Sequence, residues 1–239
     1  RKESSAASDV YKRQVFRKMR RKRKKTGVKR KLIVRYLVYL CVFWWTIGYV
    51  SSLYLTRTYQ KTIPKSPRFW GKEIEYISIK TIDNIDVKAS FIQGESAEKC
   101  VIILSGIKAN RISCYQRAKL YLKKGYSVLL PDLRGTGETK GEKISFGWNE
   151  KNDLIASVNF LKDRNFTRIS AHGISLGAAT IVYSLPTIQY DFIVLESCYD
   201  NINHAFYNRL ENLNLPTECY YPVEIITGWR IGESLKKLN

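Results

Sequence analysis

The part of this 239-residue chain that most restricts its fold is RISAHGISLGAATIVYSL, residues 168–185. A strand-like run ends in Gly173-Ile174-Ser175-Leu176-Gly177 and passes without a spacer into a segment of helical period. A strand that becomes a helix this abruptly leaves almost no room at the turn. A side chain two residues before or after the serine would meet the neighbouring strand or the new helix, so both positions are glycine. The turn strains the serine backbone and pushes its hydroxyl out at the carboxyl edge of the sheet, where open α/β sheets bind ligands. Ser175 is therefore a candidate nucleophile, and a serine hydroxyl needs a general base to act as one. The N–H of Leu176, at the start of the helix, is a candidate oxyanion donor.

The surrounding pattern agrees with a sheet. IEYISI (74–79) and VKASFI (87–92) alternate on either side of a polar turn and predict an antiparallel pair. CVIIL (100–104) is apolar throughout, the mark of a strand covered on both faces. A helical segment from Asn110 to Lys124, the strand YSVLLP, a helix from Asn149 to about Asp163, the strand at 168–172 and DFIVLE (191–196) follow in turn. Strands alternating with helices after an antiparallel start predict an α/β fold, with a mostly parallel sheet flanked by helices. The loop after the 100–104 strand, Ser105-Gly106-Ile107-Lys108, is placed to supply a second oxyanion donor, the N–H of Ile107.

Ahead of this domain, Tyr36 to Leu55 runs about 20 residues without a charge, enough for a helix to cross a hydrocarbon core of about 30 Å. Basic residues crowd its N-terminal side, which predicts an uncleaved single-pass signal anchor with the N-terminus cytoplasmic and the domain extracytoplasmic. The formal charge of +20 belongs mostly to this end: residues 1–35 hold sixteen Lys and Arg against Glu3 and Asp9. That cluster is explained by membrane topology and anionic head groups, so no specific nucleic-acid partner is expected. Five scattered cysteines without metal-ligand spacing imply no zinc site. Residues 1–35 read as a disordered basic tail, and SSAASDVYKRQ within residues 1–14 resembles translated sequencing adapter, making Met19 the expected start. Residues 56–72, with Pro64, Pro67 and Gly71, read as a linker, and 73–239 as the globular domain.

LSGIKANR, LLPDLRGTGETKG, FGW, HGISLGAAT and VLESCYD occur in that order. Together they resemble the membrane-anchored bacterial type of serine α/β-hydrolase, related to acylaminoacyl-peptidase-like and lipase-like enzymes. The resemblance implies an eight-stranded sheet and an esterase, lipase or peptidase reaction through an acyl-enzyme on Ser175. It also implies a small-molecule or lipid-like acyl substrate, a bilayer for the anchor, and no metal or organic cofactor. One departure is visible: Ser105-Gly106 stands where the family has His-Gly. Asp132 and Arg134 are expected to form a charged pair that stabilises their turn.

In such folds the acid and the histidine follow the serine along the chain. His172 precedes it and should face away from the active edge, and His204 follows too soon. Glu196 and Asp200 are carboxylates near the edge, but without a base neither restores proton transfer. PVEIITGWRIGESLKKLN resembles the segment before the next strand of related enzymes, so the domain is expected to be incomplete at its C-terminus, with the acid and histidine beyond residue 239. The alternative is a non-catalytic, membrane-anchored scaffold of the same fold.

Overall fold

The computed structural model describes residues 3–238, and no side chains at 3–14 or 21–28. The chain divides into a unit ending at Ile47 and a second beginning at Gly48.

Helix α1 covers Glu3–Leu55. The helix continues through residues 3–35, where a disordered tail was expected, with no boundary at Tyr36. The physical reason is propensity. The stretch holds no proline and one glycine, Gly27, among many Arg and Lys, so charge governs its solvation and not its backbone. Arg1 and Lys2 of the expected tail lie outside the described residues. Lys29–Leu55 is long and apolar enough to cross a membrane.

The second unit is built on a six-stranded sheet. Its strands are β1 (Glu75–Lys80), β2 (Asp86–Ile92), β3 (Lys99–Leu104), β4 (Ser127–Pro131), β5 (Arg168–Ile174) and β6 (Ile193–Glu196). They lie in the order β6-β5-β3-β4-β2-β1. β1 pairs with β2 and β2 with β4 antiparallel, while β4, β3, β5 and β6 are parallel. The sheet thus has six strands among the described residues where the resemblance implies eight, because helices and not strands follow β6.

Helix α2 (Tyr115–Leu122) covers one face of the sheet; α3 (Lys151–Asp163) and α4 (Leu176–Ser184) cover the other. Alternation along β3 serves both. Cys100, Ile102 and Leu104 enter the core shared with Leu154, Leu161 and Ile181, whereas Val101 and Ile103 pack with Ala118 and Leu122. A strand buried on both faces must be apolar at every position, which is why CVIIL carries no polar residue. Strand β6 is an edge, with Ile193 and Leu195 both partly exposed.

The expected linker is instead fastened to this unit. Thr56 is buried and its carbonyl accepts from Ile144 N at 2.8 Å. Tyr59 and Gln60 pair with Thr136 and Gly137, Ile63 is buried, and Arg68-Phe69 pairs with Lys72-Glu73. Prolines and a lack of period mark irregular backbone, but irregular backbone packs when the groove beside it offers hydrogen bonds.

Beyond β6, α5 (Ile202–Asn212) and α6 (Tyr220–Ile231) close a third apolar cluster. Phe206 and Tyr220 stack there, and Phe146 meets Phe206 edge-on. Asn201 caps α5, accepting from the N–H groups of Asn203 and His204, and Gly232 ends α6 in the left-handed conformation that glycine permits.

Candidate active site

The parallel strands all end at one edge of the sheet, and Ser175 stands there at the junction of β5 and α4. Its backbone has φ 51° and ψ −107°, a sparsely populated region for a residue with a side chain. The two glycines explain why the turn holds. A methyl group on Gly173 would lie 2.4 Å from the carbonyl carbon of Gly177, and one on Gly177 would lie 2.6 Å from both Cβ and O of Leu104. Either collision is with neighbouring backbone or a β-carbon, which cannot swing aside. The strain is further locked by the sheet, because Ser175 N donates to Glu196 O at 2.8 Å.

The loop after β3 comes up against the serine. A methyl group on Gly106 would stand 3.6 Å from Ser175 Cβ, so the glycine backbone itself lines the space beside the hydroxyl. Ile107 follows and packs on the core, and Lys108 adopts a left-handed φ of 67° that turns the chain away. Leu176 is buried as the first residue of α4. The three site residues read from sequence, Ser175, Leu176 and Ile107, are thus gathered at one place. Ser105, where the resemblance expects histidine, is buried with its hydroxyl lacking a hydrogen-bond partner.

Neither histidine serves Ser175. His172 is buried on the α2 face, its Nδ1 3.0 Å from Tyr121 Oη and its Nε2 2.7 Å from Glu196 Oε1. Both ring nitrogens are therefore occupied. Glu196 also accepts from Arg117 Nε at 2.8 Å and pairs with its Nη2. Arg117, with a smaller contribution from His172, holds the Glu196 carboxyl down at about 2. His204 is exposed beside Asp200, 3.3 Å away. Among the described residues the Ser175 hydroxyl has no hydrogen-bond partner, so it stands presented but not activated.

Asp132 and Arg134 do not pair with each other, a correction to the sequence reading. Asp132 is buried against Arg111, accepting its N–H at 2.8 Å and pairing with Nη1, and Arg111 also reaches Glu138. Burial nonetheless pushes the Asp132 carboxyl up, against the pull of Arg111. Arg134 pairs with Asp153 at 2.7 Å and with Asp83. Residues two apart diverge once the chain leaves the strand, so each found its own partner. Gly147 of the FGW segment is packed on α4, where a methyl group would come within 2.9 Å of Thr180 N. Glu150 ties that loop down, accepting from the N–H groups of Ser145 and Gly147 at 2.8 Å each.

No sequence motif announces the contacts of Arg117, Tyr121 and Lys108. The first two lie on α2, far in sequence from the histidine they frame, and only the α2–sheet packing brings them there. Lys108 lies over the rings of Tyr54 and Tyr59 at 5.8 and 5.7 Å. That contact depends on the fastened segment following α1.

No family model matches the chain. Over 97 residues, 40% of its length, the chain is 33% identical to the uncharacterized protein YqkD of Bacillus subtilis, and the match spans 32% of that relative, about a third of it. Among solved structures, the esterase Pf2001 of Pyrococcus furiosus is similar with a TM-score of 0.59 and 26% identity, over 72% of this chain and 69% of the esterase. The α/β hydrolase GrgF from a Penicillium species aligns with a TM-score of 0.50 and 16% identity, over 59% of this chain and 55% of that one, a likeness of fold. The structural neighbours are esterases and α/β hydrolases, a likeness that supports an α/β-hydrolase fold for the second unit.

Proposed function

We propose that the protein is a membrane-anchored serine hydrolase that forms an acyl-enzyme on Ser175. The observation that carries this reading is the backbone of Ser175 itself, held at φ 51° by two glycines that tolerate no side chain. Strain of about 1–3 kcal/mol persists only where the surroundings enforce it, and here what it achieves is to expose one hydroxyl. Ser175 Oγ attacks the acyl carbon of an ester or amide; the N–H groups of Leu176 and Ile107 hold the oxyanion. The bond to the leaving group breaks as that group takes the proton removed from Ser175, and water then releases the acid from the enzyme. Activating Ser175 also takes an acid and a base, and neither described histidine supplies the base: His172 is committed to Glu196 and Tyr121, and His204 is exposed beside Asp200.

The similarity to an esterase supports an ester of a small molecule or lipid as substrate. Lys29–Leu55 crosses the membrane once, with the basic residues before it on the cytoplasmic side and the hydrolase unit on the other. A second reading, a non-catalytic scaffold, is favoured by one observation, the commitment of both His172 nitrogens. Treating the protein in its native membranes with a fluorophosphonate decides between them. An adduct on the Ser175 peptide, absent in Ser175→Ala, is expected; a clean Ser175 peptide while other serine hydrolases in the same membranes are labelled would exclude catalysis.

A further inference from the structure

Within the second unit, α6 lies beside the last turns of α1, and two contacts give their relative direction. A methyl group on Gly48 would stand 2.7 Å from Pro222 Cβ. Eight residues further along both helices, Arg230 Nη2 donates to Thr56 Oγ1 at 3.1 Å. The two segments therefore run parallel. Gly48, Ser52 and Thr56 recur every fourth residue and are buried, a row of small residues that lets the helices come close.

The outward-facing residues then follow from helix geometry. One step after the contact row of α1 come Tyr49 and Leu53. One step before the contact row of α6 come Tyr221, Ile225 and Trp229. At about 100° per residue, a step forward on one of two parallel helices and a step back on the other lead to the same side of the pair. All five residues are exposed there, Trp229 to 80%. Aromatic and aliphatic groups thus form one continuous face across two helices, larger than scattered exposed residues would make.

We propose that this face of α6 lies in the lipid bilayer, alongside the end of the apolar helix. The inference rests on the reading of Lys29–Leu55 as a membrane span. The occupant is lipid because Tyr49 and Leu53 belong to that span, and Ile225 and Trp229 share their side and their level along its axis. Depth is graded: Tyr221 is level with Gly48, about 12 Å further in than Trp229, which is level with Thr56. Next to Thr56 the Arg57 guanidinium sits over the rings of Tyr54 and Tyr59, at 4.6 and 4.9 Å. Tyrosine and arginine together are what a membrane–water boundary selects. Lys108 stacks on the same two rings and is two residues from Gly106, the glycine against Ser175. The serine edge is thereby held near the head-group layer, so the substrate class this face selects is an acyl lipid approached from the bilayer surface.

The test places photoreactive p-benzoylphenylalanine at Ile225 in the full chain, reconstituted into nanodiscs of phosphatidylcholine and phosphatidylglycerol. The same residue at Leu40 reports on the span, and at Leu120, exposed on α2, on the water-facing surface. Lipid adducts at 225 and 40, and none at 120, are the expected result. Lipid adducts at 40 but none at 225 overturn this proposal and leave the anchor intact. No lipid adduct at 40 overturns both. An adduct at 225 with the mass of a second chain gives the face to self-association and also overturns the proposal.

Discussion

Replacing the candidate nucleophile by glycine should make the protein more stable, and the size of the gain follows from the turn. Ser175 is held at φ 51° and ψ −107°. A side-chain-bearing residue in such a region costs about 1–3 kcal/mol. Glycine escapes that cost but brings a more flexible unfolded chain, which offsets about 0.5–1 kcal/mol. Nothing else is lost, because the Ser175 hydroxyl has no hydrogen-bond partner among the described residues. Ser175→Gly should therefore stabilise the second unit by roughly 0.5–2 kcal/mol, a rise of about 1–8 °C in the unfolding midpoint for a unit of this size. Ser175→Ala keeps the β-carbon and so the strain, and should stay within about 0.5 kcal/mol of the parent. The assay is thermal unfolding of the three proteins in the same detergent at one scan rate, followed by near-ultraviolet circular dichroism. A Ser175→Gly midpoint no higher than that of Ser175→Ala would refute the reasoning, since it would mean that the turn stores no strain.

Gly177→Ala should lose about 1–3 kcal/mol in denaturant titration, because its methyl group would sit 2.6 Å from Leu104 Cβ and O; an unchanged midpoint would show that β3 and α4 are less closely packed. Arg111→Leu should cost about 3–5 kcal/mol by leaving Asp132 buried and unpaired, again read from the denaturation midpoint. The Glu196 carboxyl is held at about 2 against its ordinary 4.5, a lowered folded value. Its contribution to stability is thus present above pH 4.5 and lost as pH falls from there toward 2, an acid limb that Glu196→Gln should flatten in a stability–pH series. Edge strand β6 should drive self-association, and Leu195→Lys should reduce it in light scattering.

Where sequence and structure agree, the agreement has a local cause. The turn around Ser175 was legible because its chemistry is written in five adjacent residues and its neighbours are a strand and a helix of unmistakable period. CVIIL was legible as a doubly covered strand for the same reason. What was not legible depends on distant encounters. Arg117 meets Glu196 only because α2 crosses the sheet, and Asp132 and Arg134, two apart in sequence, find their partners Arg111 and Asp153 on other segments. The charge along residues 3–35 speaks of solvation and not of backbone, and the prolines of 56–72 mark a segment as irregular without saying whether it is bound.

On the hydrolase reading, that bound segment limits what the protein can reach. A free arm of 17 residues would let the hydrolase unit wander by roughly 20–25 Å and would offer proteases an extended neck to cut. Thr56, Tyr59 and Ile63 are instead fastened to the unit they lead into. On the membrane-anchored reading, the protein samples only what diffuses to it in its own plane, and shedding an active soluble form by a single clip would first require that segment to peel away.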